Sequence, residues 1–107
     1  NPRREFLFVD DLADACVYLI ENCDSQQIGS CINIGTGMDL TIKELAELVK
    51  EVCGFRGNIV YNPEMPDGTP QKLLDITRME SLGWEARTSL EQGILKTYQW
   101  YVENLAT

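Results

Sequence analysis

A chain of 107 residues, 44% hydrophobic and 24% charged, has the size and composition of one globular domain or part of one. Its net charge of −8 opposes a nucleic-acid backbone and an anionic membrane surface alike, and no basic cluster offsets it. No run of about 18 apolar residues could form a membrane span, and the opening residues do not read as an export leader.

The chain opens on Asn1-Pro2 rather than Met, only four residues before structured-looking sequence. The expectation is a piece of a longer protein with further functions upstream. Residues 5–9 (EFLFV) predict a short strand, and Asp10 offers an N-cap oxygen for a helix over 10–23. Leu12, Ala15, Cys16, Leu19, Ile20 and Cys23 recur there at helical spacing, with Asp11 and Asp14 near the positive end of the dipole. Residues 24–30 read as a polar loop and 31–34 (CINI) as a buried strand broken by Gly35-Thr36-Gly37. Thr41 and Glu44 form a capping box ahead of a helix with Ile42, Leu45, Ala46, Val49, Val52 and Cys53 on one face, ended by Gly54. Residues 58–61 (NIVY) predict another strand. Residues 62–71, with three prolines and a glycine, predict a loop. Residues 73–75 read as briefly extended and 77–82 as a short helix stopped by Gly83. A second capping box, Thr88 with Glu91, precedes a last helix over about 89–105, where Gly93 implies close packing. Strands alternating with helices give the α/β class.

Few residues offer chemistry. The chain has no histidine, no tyrosine followed by lysine at the fourth position, no GxGxxG motif and no Walker-type loop. Gly35-Thr36-Gly37 reads as a turn, with cofactor contact as its rival. The absence of CxxC spacing and of histidine argues against zinc, and Cys16, Cys23 and Cys53 in apolar helical stripes with Cys31 at a strand start predict buried free thiols in a reducing compartment. Asp10-Asp11 reads as a helix start rather than a metal pair. Trp84, Trp100 and the tyrosines are expected in the core. Arg4 is either a solvated arginine or a fork for phosphate or sugar hydroxyls, and Arg3 is read as solvated. The segment Asp67-Gly68-Thr69-Pro70-Gln71-Lys72 is either a rigid surface turn or a ligand loop. Gly68 permits close backbone approach and Pro66 and Pro70 stiffen it. Asp67 could accept hydrogen bonds from a sugar or base, and Lys72 could meet a diphosphate.

These segments, in this order, carry a resemblance over essentially the whole chain. REFLFVDDLADA (4–15) resembles the R-[DE]-F-x-x-V-D-D-x-A-x-A segment of extended short-chain dehydrogenases acting on nucleotide sugars. INIGTG (32–37), TIKELAELV (41–49) and LGW (82–84) are similar to later segments of that family. PDGTPQKLLD (66–75) and TYQWYVEN (97–104) resemble the GDP-L-fucose synthases within it. The resemblance implies an α/β fold: the C-terminal, substrate-binding part of such an enzyme, with residues 31–34 joining a Rossmann-type sheet whose NADP-binding remainder lies upstream. It also implies a parent that is oxidoreductase and isomerase, converting GDP-4-keto-6-deoxy-D-mannose to GDP-L-fucose by epimerising two ring carbons and reducing the ketone with NADPH. Arg4, Asp67 and Lys72 match family positions that contact the GDP-sugar. Family members often carry Arg where this chain has Gln71 and His where it has Phe8. The family's catalytic Ser, Tyr and Lys, its acid/base Cys and His, and its glycine-rich loop all fall upstream, so no catalytic, cofactor-binding or metal residue is assigned here, and this stretch alone is expected to be inactive. A cytoplasmic, homodimeric parent without metal, nucleic-acid or membrane partners completes the expectation. A 4-epimerase or another nucleotide-sugar reductase of the same frame, and a non-catalytic acidic α/β module that binds a protein, remain the alternatives.

Overall fold

The computed structural model describes residues 2–64 and 68–105. In chain order the elements are β1 (Arg3–Arg4), α1 (Val9–Asn22), α2 (Ser25–Ile28), β2 (Leu40–Thr41), α3 (Ile42–Cys53), β3 (Gln71–Lys72), α4 (Thr77–Ser81) and α5 (Leu90–Asn104). The three short strands form one sheet in the order β2-β1-β3, with β1 antiparallel to β2 and parallel to β3.

The first strand is earlier and shorter than its apolar run predicts. Residues 5–8 leave the ladder, Leu7 packs toward the core, and Phe8 lies against Gly93 of α5. A Cβ at Gly93 would come within 3.2 Å of Phe8, which explains a glycine inside that helix. Here packing against another element overrides strand propensity.

Helix α1 starts one residue before the expected position, with Phe8 rather than Asp10 at its N-cap and no side-chain capping bond. Asp10 and Asp11 lie in its first turn, where carboxylates suit the dipole. Asp11 is buried, and its two oxygens accept from the Thr88 backbone N–H and hydroxyl, each at 3.0 Å. That long-range pair displaces the expected Thr88–Glu91 box. With Thr88 committed to Asp11, Ser89 caps α5 by accepting from Gln92 N–H at 3.2 Å. The Thr41–Glu44 box and the left-handed Gly54 cap of α3 form as the sequence predicts. Residues 24–30 are not all loop: Asp24 and Gln27 make a reciprocal capping box around α2.

The core is the seam between α1 and the α4 region. Ala15, Leu19, Met79 and Trp84 are buried, with Tyr18, Ile28, Ile32, Ile34 and Leu82 packed around them. Trp84 Nε1 donates to Asp14 at 2.9 Å, and the Tyr18 hydroxyl donates to the Leu82 carbonyl at 2.5 Å. Arg78 ties the segment after α1 to this core by donating to the carbonyls of Gln27, Ile28 and Cys31. Burial alternates along 31–34, with Ile32 and Ile34 inward and Cys31 and Asn33 outward. The period is that of a strand, but no ladder joins this segment to another described strand, and the same holds for 58–61.

Several residues expected inside are outside. All four cysteines are free, but Cys16 and Cys31 are exposed: the buried face of α1 runs through Asp11, Ala15 and Leu19 and turns Leu12, Cys16 and Ile20 away, and Cys31 is on the outward side of the 31–34 segment. Trp84 is 4% exposed whereas Trp100 is 56% exposed. Tyr61, Tyr98 and Tyr101 are exposed as well, and only Tyr18 contributes to the core. Helix α5 therefore carries three aromatic side chains, Tyr98, Trp100 and Tyr101, that stay partly exposed.

Candidate functional site

The small sheet determines where the candidate ligands sit. Arg4 on β1 and Lys72 on β3 are partners in the parallel ladder, as are Arg3 and Gln71. Neighbouring strands run about 4.8 Å apart, so partner residues rise side by side from one face. Two residues 68 positions apart in sequence are thus brought together by a pairing only two residues long. Arg4 is half-buried, and its Nη1 donates to the Arg3 carbonyl at 2.8 Å. Its Nη2 lies over Gly68, where a Cβ would stand 3.6 Å away. Gly68 has φ +78°, in the left-handed region that favours glycine. Asp67, the remaining candidate, lies outside the described residues.

Arg3 is not simply solvated. Its Nε donates to Asp39 Oδ1 at 3.0 Å, and the Gln71 amide donates to Asp39 Oδ2 at 2.6 Å. Asp39, just before β2, thereby joins all three strands. These contacts, the Gln71 amide foremost and the Arg3 guanidinium after it, hold the Asp39 carboxyl below its ordinary value of 3.8, although partial desolvation acts the other way. A depressed folded-state value stabilises the fold above the unfolded value and loses that contribution as pH falls through the folded value. Asp39→Asn should therefore be less stable than the unchanged chain at pH 7, and the gap should close as pH is lowered below about 4. Urea unfolding of both proteins at pH 7 and pH 3 checks this. A gap of the same size at both values would show that the Asp39 charge contributes nothing.

The Gly35-Thr36-Gly37 turn is occupied by the protein itself. Glu5 Oε2 accepts from Thr36 N–H at 2.8 Å, Gly37 N–H at 2.6 Å and the Thr36 hydroxyl at 3.2 Å. Glu5 Oε1 accepts from Leu74 N–H at 3.2 Å. The turn's amides hold a carboxylate, and this supports the reading of a structural turn over a cofactor loop.

An apolar groove of about 550 Å³ lies elsewhere, between residues 6–9, α3 and α5. Neither Arg4 nor Lys72 lines it, and no charged side chain does, so it does not suit a diphosphate.

Glu5 and Asp39 are the site-building residues that sequence reasoning passed over. Glu5 carried a cue: a carboxylate opening an otherwise apolar run must find donors. Asp39 carried none, because both of its partners are remote in sequence.

Residues 1–35 match the NAD dependent epimerase/dehydratase family. The chain is 52% identical over 105 residues to the putative GDP-L-fucose synthase 2 of Arabidopsis thaliana, aligning 98% of this chain with 31% of that protein. It is 48% identical over 110 residues to the GDP-L-fucose synthase of Escherichia coli K12, aligning 97% of this chain with 34% of that one. Among solved structures, the GDP-6-OMe-4-keto-L-xylo-heptose reductase of C. jejuni superposes with a TM-score of 0.88 at 41% identity, over 96% of this chain and 32% of its own. The chain spans about a third of the length of each of these relatives. Sequence and fold agree over nearly every residue: the chain is similar to about a third of a GDP-L-fucose synthase and superposes on the matching third of a GDP-sugar reductase.

Proposed function

We propose that this chain is the C-terminal, substrate-anchoring part of a GDP-L-fucose synthase. In that role Arg4 and Lys72 bind the diphosphate of the GDP-sugar, and Asp67 accepts hydrogen bonds from its sugar or nucleoside. The observation that carries this reading is the ladder register of Arg4 with Lys72. Two cations side by side repel one another, and a diphosphate lying over both would replace that repulsion with charge-assisted hydrogen bonds. Gly68, in the left-handed region, brings the loop backbone against the Arg4 guanidinium. The names and high identity of the relatives support the choice of sugar nucleotide.

On this reading the NADP-binding Rossmann domain and the catalytic residues belong to preceding sequence. NADPH supplies the hydride, and the whole enzyme, a cytoplasmic homodimer, turns GDP-4-keto-6-deoxy-D-mannose into GDP-L-fucose. The exposed apolar side of α1, with Val9, Leu12, Val17 and Ile20, supports a further layer of protein packing there. Anchoring the diphosphate contributes binding energy remote from the reacting carbons and holds the keto-sugar in place for reduction.

In the full-length enzyme, Lys72→Ala should raise KM for the GDP-sugar by about tenfold or more, the equivalent of one charge-assisted hydrogen bond, with kcat nearly unchanged. Steady-state kinetics with the purified variant checks this. An unaltered KM removes Lys72 from the site.

The close superposition on a GDP-heptose reductase favours a second reading, a GDP-sugar reductase without epimerase activity. Product analysis with GDP-4-keto-6-deoxy-D-mannose separates the two, since reduction alone leaves the sugar in the D-series.

A further inference from the structure

We infer that Glu5 is a positioning residue for the diphosphate-binding pair, holding Lys72 in register with Arg4. The inference rests on the reading of Arg4 and Lys72 given above. Strands β1 and β3 pair over two residues each, too few to define a stable ladder by themselves. Side-chain ties on both sides of Lys72 make up the difference. On one side, Gln71 donates to Asp39, which also binds Arg3. On the other, Leu74 N–H donates to Glu5, whose second oxygen is gripped by Thr36 and Gly37. Lys72 lies between these ties, and Glu5 directly follows Arg4. A single carboxylate thus connects the strand that carries the arginine, the segment just beyond the lysine, and the buried Gly35 turn.

The geometry also separates Glu5 from the ligand. Both of its oxygens are engaged by four donors from segments 36–37 and 74, so its charge is met by N–H and O–H dipoles rather than by Arg4 or Lys72. Glu5 acts on the diphosphate through Lys72 and makes no contact with it. Without Glu5, the chain after β3 loses its tie and Lys72 samples positions away from Arg4, which weakens binding of the diphosphate while leaving the chemistry of bound substrate intact.

The test uses full-length enzyme with Glu5→Ala, Glu5→Gln, Lys72→Ala and the Glu5→Ala/Lys72→Ala double variant. Affinity for GDP is measured by titration calorimetry alongside kcat, KM and thermal unfolding. Glu5→Ala should weaken GDP binding by roughly five- to tenfold with kcat at saturation unchanged, as expected for loss of uniform binding. Glu5→Gln keeps one carbonyl oxygen and should recover part of that affinity. Because Glu5 works through Lys72, the double variant should bind GDP within about twofold of Lys72→Ala alone, a non-additivity that independent sites would not show. A lowered melting temperature with unchanged GDP affinity, or effects that multiply in the double variant, overturns the inference. Should Glu5→Ala fail to fold, Glu5→Gln against Lys72→Ala makes the same comparison. Unchanged GDP affinity in Lys72→Ala overturns the diphosphate reading and this inference with it. Weakened affinity in Lys72→Ala beside intact affinity in both Glu5 variants overturns this inference alone.

Discussion

Replacing Trp84 by Ala should lower the unfolding free energy by about 3–5 kcal/mol, the range for emptying a large aromatic site in a packed core. Trp84 is 4% exposed and shares the core with Ala15, Leu19 and Met79. A domain of this size has only about 5–15 kcal/mol of stability in total, so the loss should move the midpoint of urea unfolding by a large fraction. Trp84→Phe separates packing from hydrogen bonding. It keeps most of the ring volume and removes the Nε1 donor to Asp14, an exposed carboxylate that water can satisfy, so about 1–2 kcal/mol should be lost. Trp100→Phe, at a residue more than half exposed, should change stability by less than about 0.5 kcal/mol. Equal effects at the two tryptophans would mean that the α1–α4 seam is not the core.

Gly35→Ala should destabilise the chain by about 2–3 kcal/mol through hydrogen bonds rather than backbone strain. Gly35 is buried, and a Cβ there would come within 2.7–2.9 Å of the Glu5 carboxylate atoms. A carboxylate at the end of a flexible side chain would ordinarily swing aside at little cost. This one cannot do so without releasing the amides of Thr36, Gly37 and Leu74 and the Thr36 hydroxyl together. The diagnostic comparison is Gly35→Ala in a Glu5→Ala background, where the obstacle is already gone. There the substitution should be close to neutral, giving a coupling of about 2–3 kcal/mol between the two positions. Additive losses, measured by chemical unfolding of all four proteins, would show that Gly35 is required for some reason other than the carboxylate.

These two residues also show how a site can be partly legible. Gly35-Thr36-Gly37 has the look of a phosphate-binding turn because such a turn presents amides to an anion, and in this chain it does so. The anion is the Glu5 side chain, 31 and 32 positions away from the amides of Thr36 and Gly37. No local pattern distinguishes an internal carboxylate from an external phosphate. The same limit produced the misplaced cap at α5: Thr88 and Glu91 have capping-box spacing, yet Thr88 answers to Asp11 across the fold and Ser89 takes its place.

What the sequence by itself determined was local or periodic. Helix α3 with its capping box and Gly54 terminator, the α4 and α5 helices, and the family resemblance all rest on residues within a few positions of one another. Their physics is carried by backbone propensity, short-range hydrogen bonds and side-chain spacing. Only the tertiary structure decided which half of the apolar stripe on α1 is buried, which tryptophan is core, that β1 lies between β2 and β3, and that Arg4 stands beside Lys72. Each of these depends on a partner far along the chain. The free energy that selects such a partner comes from long-range burial and hydrogen bonding, which leave no periodic trace in the segment itself.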